Sequence, residues 1–275
     1  MSYKINSLIV SEKVVVSYEK RMSICLLSNG FSFSISTVHD EILALGEVEC
    51  ELHTSISELL ADIKGVMAEG GIQAYGLKET ELVVNSRQFV WVPEHLYDDS
   101  KQRAYIEAMC KIESGHGVFS DFNSTVKAYM VFCADNNIVS AFKIAFPGLM
   151  VKCQHDKMAN RTMMENSDLK SIILINVRDG ESDYSVFCNK KLMLSNTFDC
   201  ANFDETLYHA LNLTKQLHLE DAMMMAAVCG DVDRERFARL RQFFPNVALY
   251  TGRPLTMTNP EMQHFALYRH ALILS

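Results

Sequence analysis

The strongest constraint in this sequence is an order of elements that occurs twice. From Ser23 the chain reads SICLLSNGFSFSISTV, an alternating stretch broken at Ser28-Asn29-Gly30, and a third apolar run follows Asp40-Glu41. Period-two alternation punctuated by turn residues predicts a three-stranded meander. Behind it, Ser55 and Glu58 have the spacing of a capping box. Leu59, Leu60, Ile63, Val66 and Met67 form the apolar stripe of a helix that stops at Gly70-Gly71. The order returns from Ser171 as SIILINV, a polar turn from Arg178 to Glu181, DYSVFCN, a turn at Lys190-Lys191, and LMLSNTF. Asn202 with Glu205 then caps a stripe of Phe203, Leu207, Leu211 and Leu217. The caps at 55 and 202 lie 147 residues apart, and the meanders, counted from Ile24 and Ile172, lie 148 apart. A near-constant spacing predicts an internal duplication, visible in order rather than in residue identity.

The rest of each unit fits that template. Glu81–Ser86 and Phe89–Val92 read as strands, Asp98–Ile112 as a helix, and Gly115-His116-Gly117 as a loop. Val126–Cys133 reads as a buried strand, Asn136–Phe146 as a helix, Leu149–Cys153 as a strand and His155–Asn166 as a helix. In the second unit Ala222–Cys229 and Val247–Tyr250 read as strands around a helix over Asp233–Phe244, and a closing helix covers 260–274. Meanders followed by strand–helix alternation imply an α/β chain of two mixed, five-stranded-type sheets flanked by helices. The division expected is 1–166 and 167–275, with the closing helix packing back on the first part.

Composition narrows function mainly by exclusion. With 34 acidic against 26 basic residues and a formal charge of -8, the chain lacks the basic face that sequence-independent nucleic-acid binding requires. The longest apolar run, Ala222–Cys229, is far short of the roughly 20 residues that span a bilayer. No signal-like block opens the sequence, so the expected compartment is the cytoplasm. The eight cysteines include no CxxC pair and are expected to be reduced. Cys153 and His155 could form half a metal site if extended, but without a second pair they read as packing.

The passages SICLLSNGFSFSI, WVPEHLYDD, ADNNIVSAFKIAFP, LSNTF and LEDAMMMAAVCGDVDRERFARL resemble a bacterial domain-of-unknown-function family of about this length. More widely, the twice-written order is similar to the actin-like ATPase superfamily, a duplicated ribonuclease H-like fold, and distantly to its pilus-assembly members. That resemblance implies two halves around an interdomain cleft, where two β-hairpins grip nucleotide phosphates. Each begins Asp-x-Gly, because backbone N–H groups in a glycine turn bind phosphate oxygens while the Asp holds the hydrated metal. Matched by the 148-residue spacing, the first hairpin has Ser28-Asn29-Gly30, with Ser for the Asp. The second has Asn176-Val177-Arg178, with both Asp and Gly lost; a register slip of three would restore Asp179 but set Gly180 one place early. The adenosine motif keeps one glycine, Gly230, before Asp231.

Without two metal-holding carboxylates, phosphoryl transfer loses its main electrostatic terms. The reading is therefore a non-catalytic actin-like protein with a degenerate nucleotide site, a scaffold or partner-binding module whose partner is another protein. No catalytic residue, metal or cofactor is assigned. The cleft is expected to be lined by Ser28, Asn29, Gly30, Asn176, Arg178, Asp179, Gly180, Gly230 and Asp231. The alternative is a divergent ATPase or small-molecule kinase that holds Mg²⁺ and ATP with Asp179, Glu181 and Asp183, though acidic hairpin tips are more often solvated turns.

Overall fold

The computed structural model describes residues 3–12, 14, 19–50, 55–72, 77–159, 171–219, 224–252, 255–257, 259, 261–262 and 266–275. The first meander is β2 (Lys20–Leu27), β3 (Gly30–Thr37) and β4 (Glu41–Cys50), followed by α1 (Ile56–Glu69) and β5 (Leu77–Val84). With β9 (Leu149–Cys153) they form a sheet in the order β4-β3-β2-β5-β9, which β1 (Tyr3–Val10) extends beyond β4. The second meander, β10 (Ser171–Arg178), β11 (Glu181–Cys188) and β12 (Lys191–Asp199), leads into α5 (Phe203–Gln216) and β13 (Met224–Gly230). After α6 (Arg234–Phe243), β14 (Asn246–Leu249) completes the order β12-β11-β10-β13-β14. The two orders are the same: an antiparallel meander with parallel strands added beside its first strand. A short β15 (Thr256–Met257) returns to pair in parallel with the start of β4.

The duplication carries two spacings rather than one. Hairpin partners Leu27 and Gly30 match Arg178 and Glu181, both 151 residues on. The amide of Cys50 bonds the Asn29 carbonyl at 2.8 Å, and that of Cys200 bonds the Gly180 carbonyl at 2.9 Å. The helices keep 147: Ile72 N–H closes on Met67 C=O as Leu219 N–H closes on Thr214 C=O. The expected match of Ser28 to Asn176 is therefore corrected. Ser28 corresponds to Asp179 and Cys25 to Asn176, because a three-residue slip along a strand exchanges its faces.

The largest departure lies within the first unit. Ala128–Asp135 is a strand, β8, but it does not join the main sheet. It sits between β6 (Phe89–Pro93) and β7 (His116–Asn123) in a separate antiparallel sheet inserted between β5 and α3 (Asn136–Ala145). The segment read as a loop at Gly115-His116-Gly117 opens β7. The helix read over Asp98–Ile112 is reduced to a 3-10 turn, Asp99–Lys101, and α2 (Gln102–Glu107). Its only buried side chain is Ile106, too narrow a stripe to hold a longer helix. The helix read from His155 is the five-residue α4 (Gln154–Met158), and residues 160–166 lie outside the described residues. The closing helix is 3-10 over Leu267–Leu274, with a break at His270, while residues 260 and 263–265 lie outside the described residues.

Two apolar clusters fill the main sheets' covered faces, one under α1 and α3 and one under α5 and α6. A third joins the sheets through Cys25, Leu45, Leu174, Ala227 and the closing residues Ala271–Leu274. No helix among the described residues is long and apolar enough to cross a membrane.

Candidate functional site

Two hairpins of equal register, set side by side by the duplication, leave a cleft between their tips. Its cavity of about 380 Å³ is lined from one side by Cys25, Leu27, Ser28, Asn29 and Glu47. Asn176, Val177, Arg178 and Asp179 line it from the other, and Gly230 and Asp231 close the end of β13. Arg269, His270, Leu272 and Ile273 of the closing segment form the remaining wall. The structure thus brings together Ser28, Asn29, Asn176, Arg178, Asp179, Gly230 and Asp231. Gly30 and Gly180 lie one residue further round their turns and are not in the wall.

Two glycines are demanded by close approach. Gly30 has φ +155°, and a β-carbon there would lie 2.0 Å from the Val48 carbonyl oxygen. Gly230 has φ +83°, and a β-carbon there would lie 2.1 Å from the Val177 oxygen and 2.8 Å from Asn176 Oδ1. This lets β13 end against β10, where Asp231 N–H donates to the Val177 carbonyl at 2.8 Å.

The second hairpin has turned its chemistry inward. Asn176 is the direct cross-strand partner of Asp183, and Arg178 that of Glu181. Asp183 is wholly buried and accepts two 2.8 Å hydrogen bonds from Arg178, through Nε and Nη2. It also accepts from Asn176 Nδ2 at 2.9 Å, Thr197 Oγ1 at 2.7 Å and Gln154 Nε2 at 3.4 Å. Burial alone would raise this carboxyl, but the Arg178 guanidinium more than reverses it and holds Asp183 well below the usual carboxylate range. Burial likewise opposes the charge on Arg178, and Asp183 and Glu181 together outweigh it. Glu181 lies 2.8 Å from Arg178 Nη1 and 3.2 Å from Arg87 Nη1. The acidic trio of the alternative reading therefore does not converge: Asp183 and Glu181 are engaged by arginines, and Asp179 alone borders the cleft. Among the described residues no group of three or more His, Cys, Asp or Glu could hold a metal ion.

The other carboxylates of the wall are also paired. Asp231 is bridged by Arg236 at 2.7 Å and Arg269 at 3.4 Å. Glu47 lies 3.2 Å from His270 Nε2, and that hydrogen bond lowers its pKa. Cys25, at the position equivalent to Asn176, is pushed by burial up to about 12 and is no nucleophile.

Sequence reading missed Arg269, His270, Glu47 and Gln154, which come from outside the hairpins and carry no local pattern. It also missed the Arg178–Asp183 pair, although a two-residue turn at Asp179-Gly180 places Asn176 opposite Asp183 and leaves Arg178 diagonal to it. That register was the available signal. Cys153 and His155 do not share an extended face. His155 opens onto α4, and Cys153 Sγ bonds Gln154 Oε1 at 3.0 Å.

Comparison with known proteins places this geometry. The model of a protein family described as "Protein of unknown function (DUF3822)" matches residues 12–247. No curated protein matches the sequence. Among solved structures, a Bacteroides thetaiotaomicron protein of actin-like ATPase fold and unknown function has TM-score 0.73 at 20% identity, covering 92% of this chain and 97% of its own. The PilM-PilN type IV pilus biogenesis complex has TM-score 0.58 at 8% identity, with 92% and 95% covered. The chain has the actin-like ATPase fold.

Proposed function

The chain belongs to the DUF3822 family, and from that membership, its fold and its altered cleft we propose that it is a partner-binding protein that has given up nucleotide turnover. The observation that carries this reading is the buried Arg178–Asp183 pair. A hairpin that, on the actin-like resemblance, is expected to present carboxylates to a metal here buries Asp183 against Arg178 and leaves Asp179 as its one carboxylate at the cleft. The first hairpin presents Ser28 and Asn29 instead of a carboxylate. Phosphoryl transfer depends on charge placed where it develops, so a cleft with one hairpin carboxylate where two would hold the metal retains shape and loses rate. The PilM neighbour occurs in a complex with PilN, which supports reading this frame as a surface for another protein.

Isothermal titration with ATP and Mg²⁺ tests the reading. The expected result is no binding heat at micromolar nucleotide. Micromolar affinity, or a measurable ATP turnover that Asn176→Ala abolishes, overturns it.

A further inference from the structure

A second polar constellation starts at the buried Asp183 and ends at the edge of the second sheet. His155 on α4 is fully buried against β11 and β12. Its Nε2 lies 2.9 Å from Thr197 Oγ1 and its Nδ1 2.8 Å from Ser195 Oγ. Thr197 and Ser195 are two apart on β12, share one face, and stand opposite Asp183 and Ser185 of β11.

The proton directions follow by elimination. Asp183 is ionised and can only accept, so the single Thr197 hydroxyl proton goes to it. The Thr197 oxygen then accepts from His155 Nε2–H. A neutral imidazole with its proton on Nε2 leaves Nδ1 bare, so Ser195 O–H donates to Nδ1. A hydroxyl aimed at the lone pair of a histidine, itself oriented through a buried carboxylate, is the arrangement that activates serine on unrelated folds. Ser195 is partly exposed on an edge strand. Across the ladder, Ser185 Oγ is fully buried and has no hydrogen-bond partner.

We propose that Ser195 is an activated nucleophile, with His155 as its base and Thr197 and Asp183 as positioning residues, and that it accepts acyl groups from small activated esters. This site is separate from the cleft and stands or falls independently of the partner-binding reading. In the step, Ser195 Oγ bonds the acyl carbon as the ester C–O bond breaks. The serine proton passes to His155 Nδ1 and from there to the departing alkoxide. His155 is faced by Asp183, 3.8 Å from Nε2, by Arg178 beyond it and by the Phe89 ring at 4.1 Å. Asp156 and Lys157 of its own helix are directed to Asn123 and Glu81. Burial lowers the His155 pKa to about 4, which makes it a weak base that is neutral at pH 7. Stoichiometric acylation rather than rapid turnover is the expected behaviour.

The test is p-nitrophenyl acetate with the full chain. The expected result is a release of nitrophenolate approaching one per chain, an acetyl group on the peptide carrying Ser195, and loss of both in Ser195→Ala. Thr197→Val should slow acylation at least about tenfold with circular dichroism unchanged. Should that variant unfold, His155→Gln supplies the same comparison. The rate should be flat from pH 6 to 8, because the base is already neutral, whereas unassisted attack gains about tenfold per unit. Acetylation confined to lysines, an undiminished rate in Ser195→Ala, wild-type rates in folded Thr197→Val or His155→Gln, or a tenfold rise per pH unit would each overturn the proposal.

Discussion

Replacing Arg178 by Met tests the pair on which the altered cleft rests. The wild-type side chain is 19% exposed, supplies two 2.8 Å hydrogen bonds to Asp183, and is the nearest cation to a carboxylate with no exposure at all. Removing one partner of a buried pair costs about 3–5 kcal/mol, because the remaining charge is left uncompensated. Asn176, Thr197 and Gln154 still donate to Asp183 in the variant, which places the expected loss near the lower end, about 3 kcal/mol at pH 7. The pH dependence is more diagnostic than the size. In the wild type the Asp183 pKa is depressed, so its contribution is present above the unfolded pKa of about 3.9 and is lost as pH falls through the folded value. In Arg178→Met, burial is no longer opposed and the folded state takes up a proton, on Asp183 or on neighbouring His155. Where the folded state holds one proton more than the unfolded, stability falls by about 1.4 kcal/mol per pH unit as pH rises. Urea denaturation at intervals from pH 4.5 to 7.5 measures both slopes. The variant should be closest to wild type at the acid end and furthest at pH 7, and Arg178→Met with Asp183→Leu should recover most of the loss. A loss below about 1 kcal/mol with an unchanged slope would refute the reasoning.

Three further outcomes can be checked with the same equipment. His155 has a folded pKa of about 4 against an ordinary 6.5, so the wild type should lose about 3 kcal/mol between pH 7 and 4, and His155→Gln should flatten that window in urea titrations. Gly230→Ala forces a β-carbon against the Val177 oxygen at a positive φ, and a loss of about 2–4 kcal/mol in chemical denaturation is expected, against almost none for Gly115→Ala beyond its backbone cost of about 1 kcal/mol. Arg87→Ala removes ion pairs to Glu181 and Asp199 from a half-exposed side chain; salt titration of its stability should show a change of no more than about 1 kcal/mol.

Much of the frame is legible in the residues because the physics that writes it is local. The Ser55–Glu58 box forms as its spacing requires, with Glu58 N–H bonded to Ser55 Oγ and Ser55 N–H to Glu58 Oε2. Asn202 caps α5 through the amides of Asp204 and Glu205, although Glu205 reaches back to Ala201 rather than to Asn202. What failed was long-range. Nothing in the alternation of Ala128–Asp135 says which sheet it joins, because an apolar strand pairs wherever turns and neighbours deliver it. The one-register duplication failed because strand ends are blurred in sequence while hairpin partners are not. The cleft's outline was legible from the hairpins, but Asp183 was read as part of a solvated tip. It lies three residues beyond the turn in β11, a strand buried through its central positions, and the helix laid over that face makes its environment interior.

That helix, α4, is five residues long, and every one of its side chains is buried. Gln154 binds the Ser86 backbone and Asp183, His155 binds Ser195 and Thr197, Asp156 binds Asn123 of the inserted sheet, and Lys157 binds Glu81 of the first sheet. A single turn of helix cannot nucleate alone in water. Its order therefore comes from three bodies already assembled around it, in the way a keystone is held by the arch. Amide exchange at Met158 and Ala159 should accordingly report docking of the three sheets rather than local helix fraying, and should lag behind the formation of each sheet when the chain refolds.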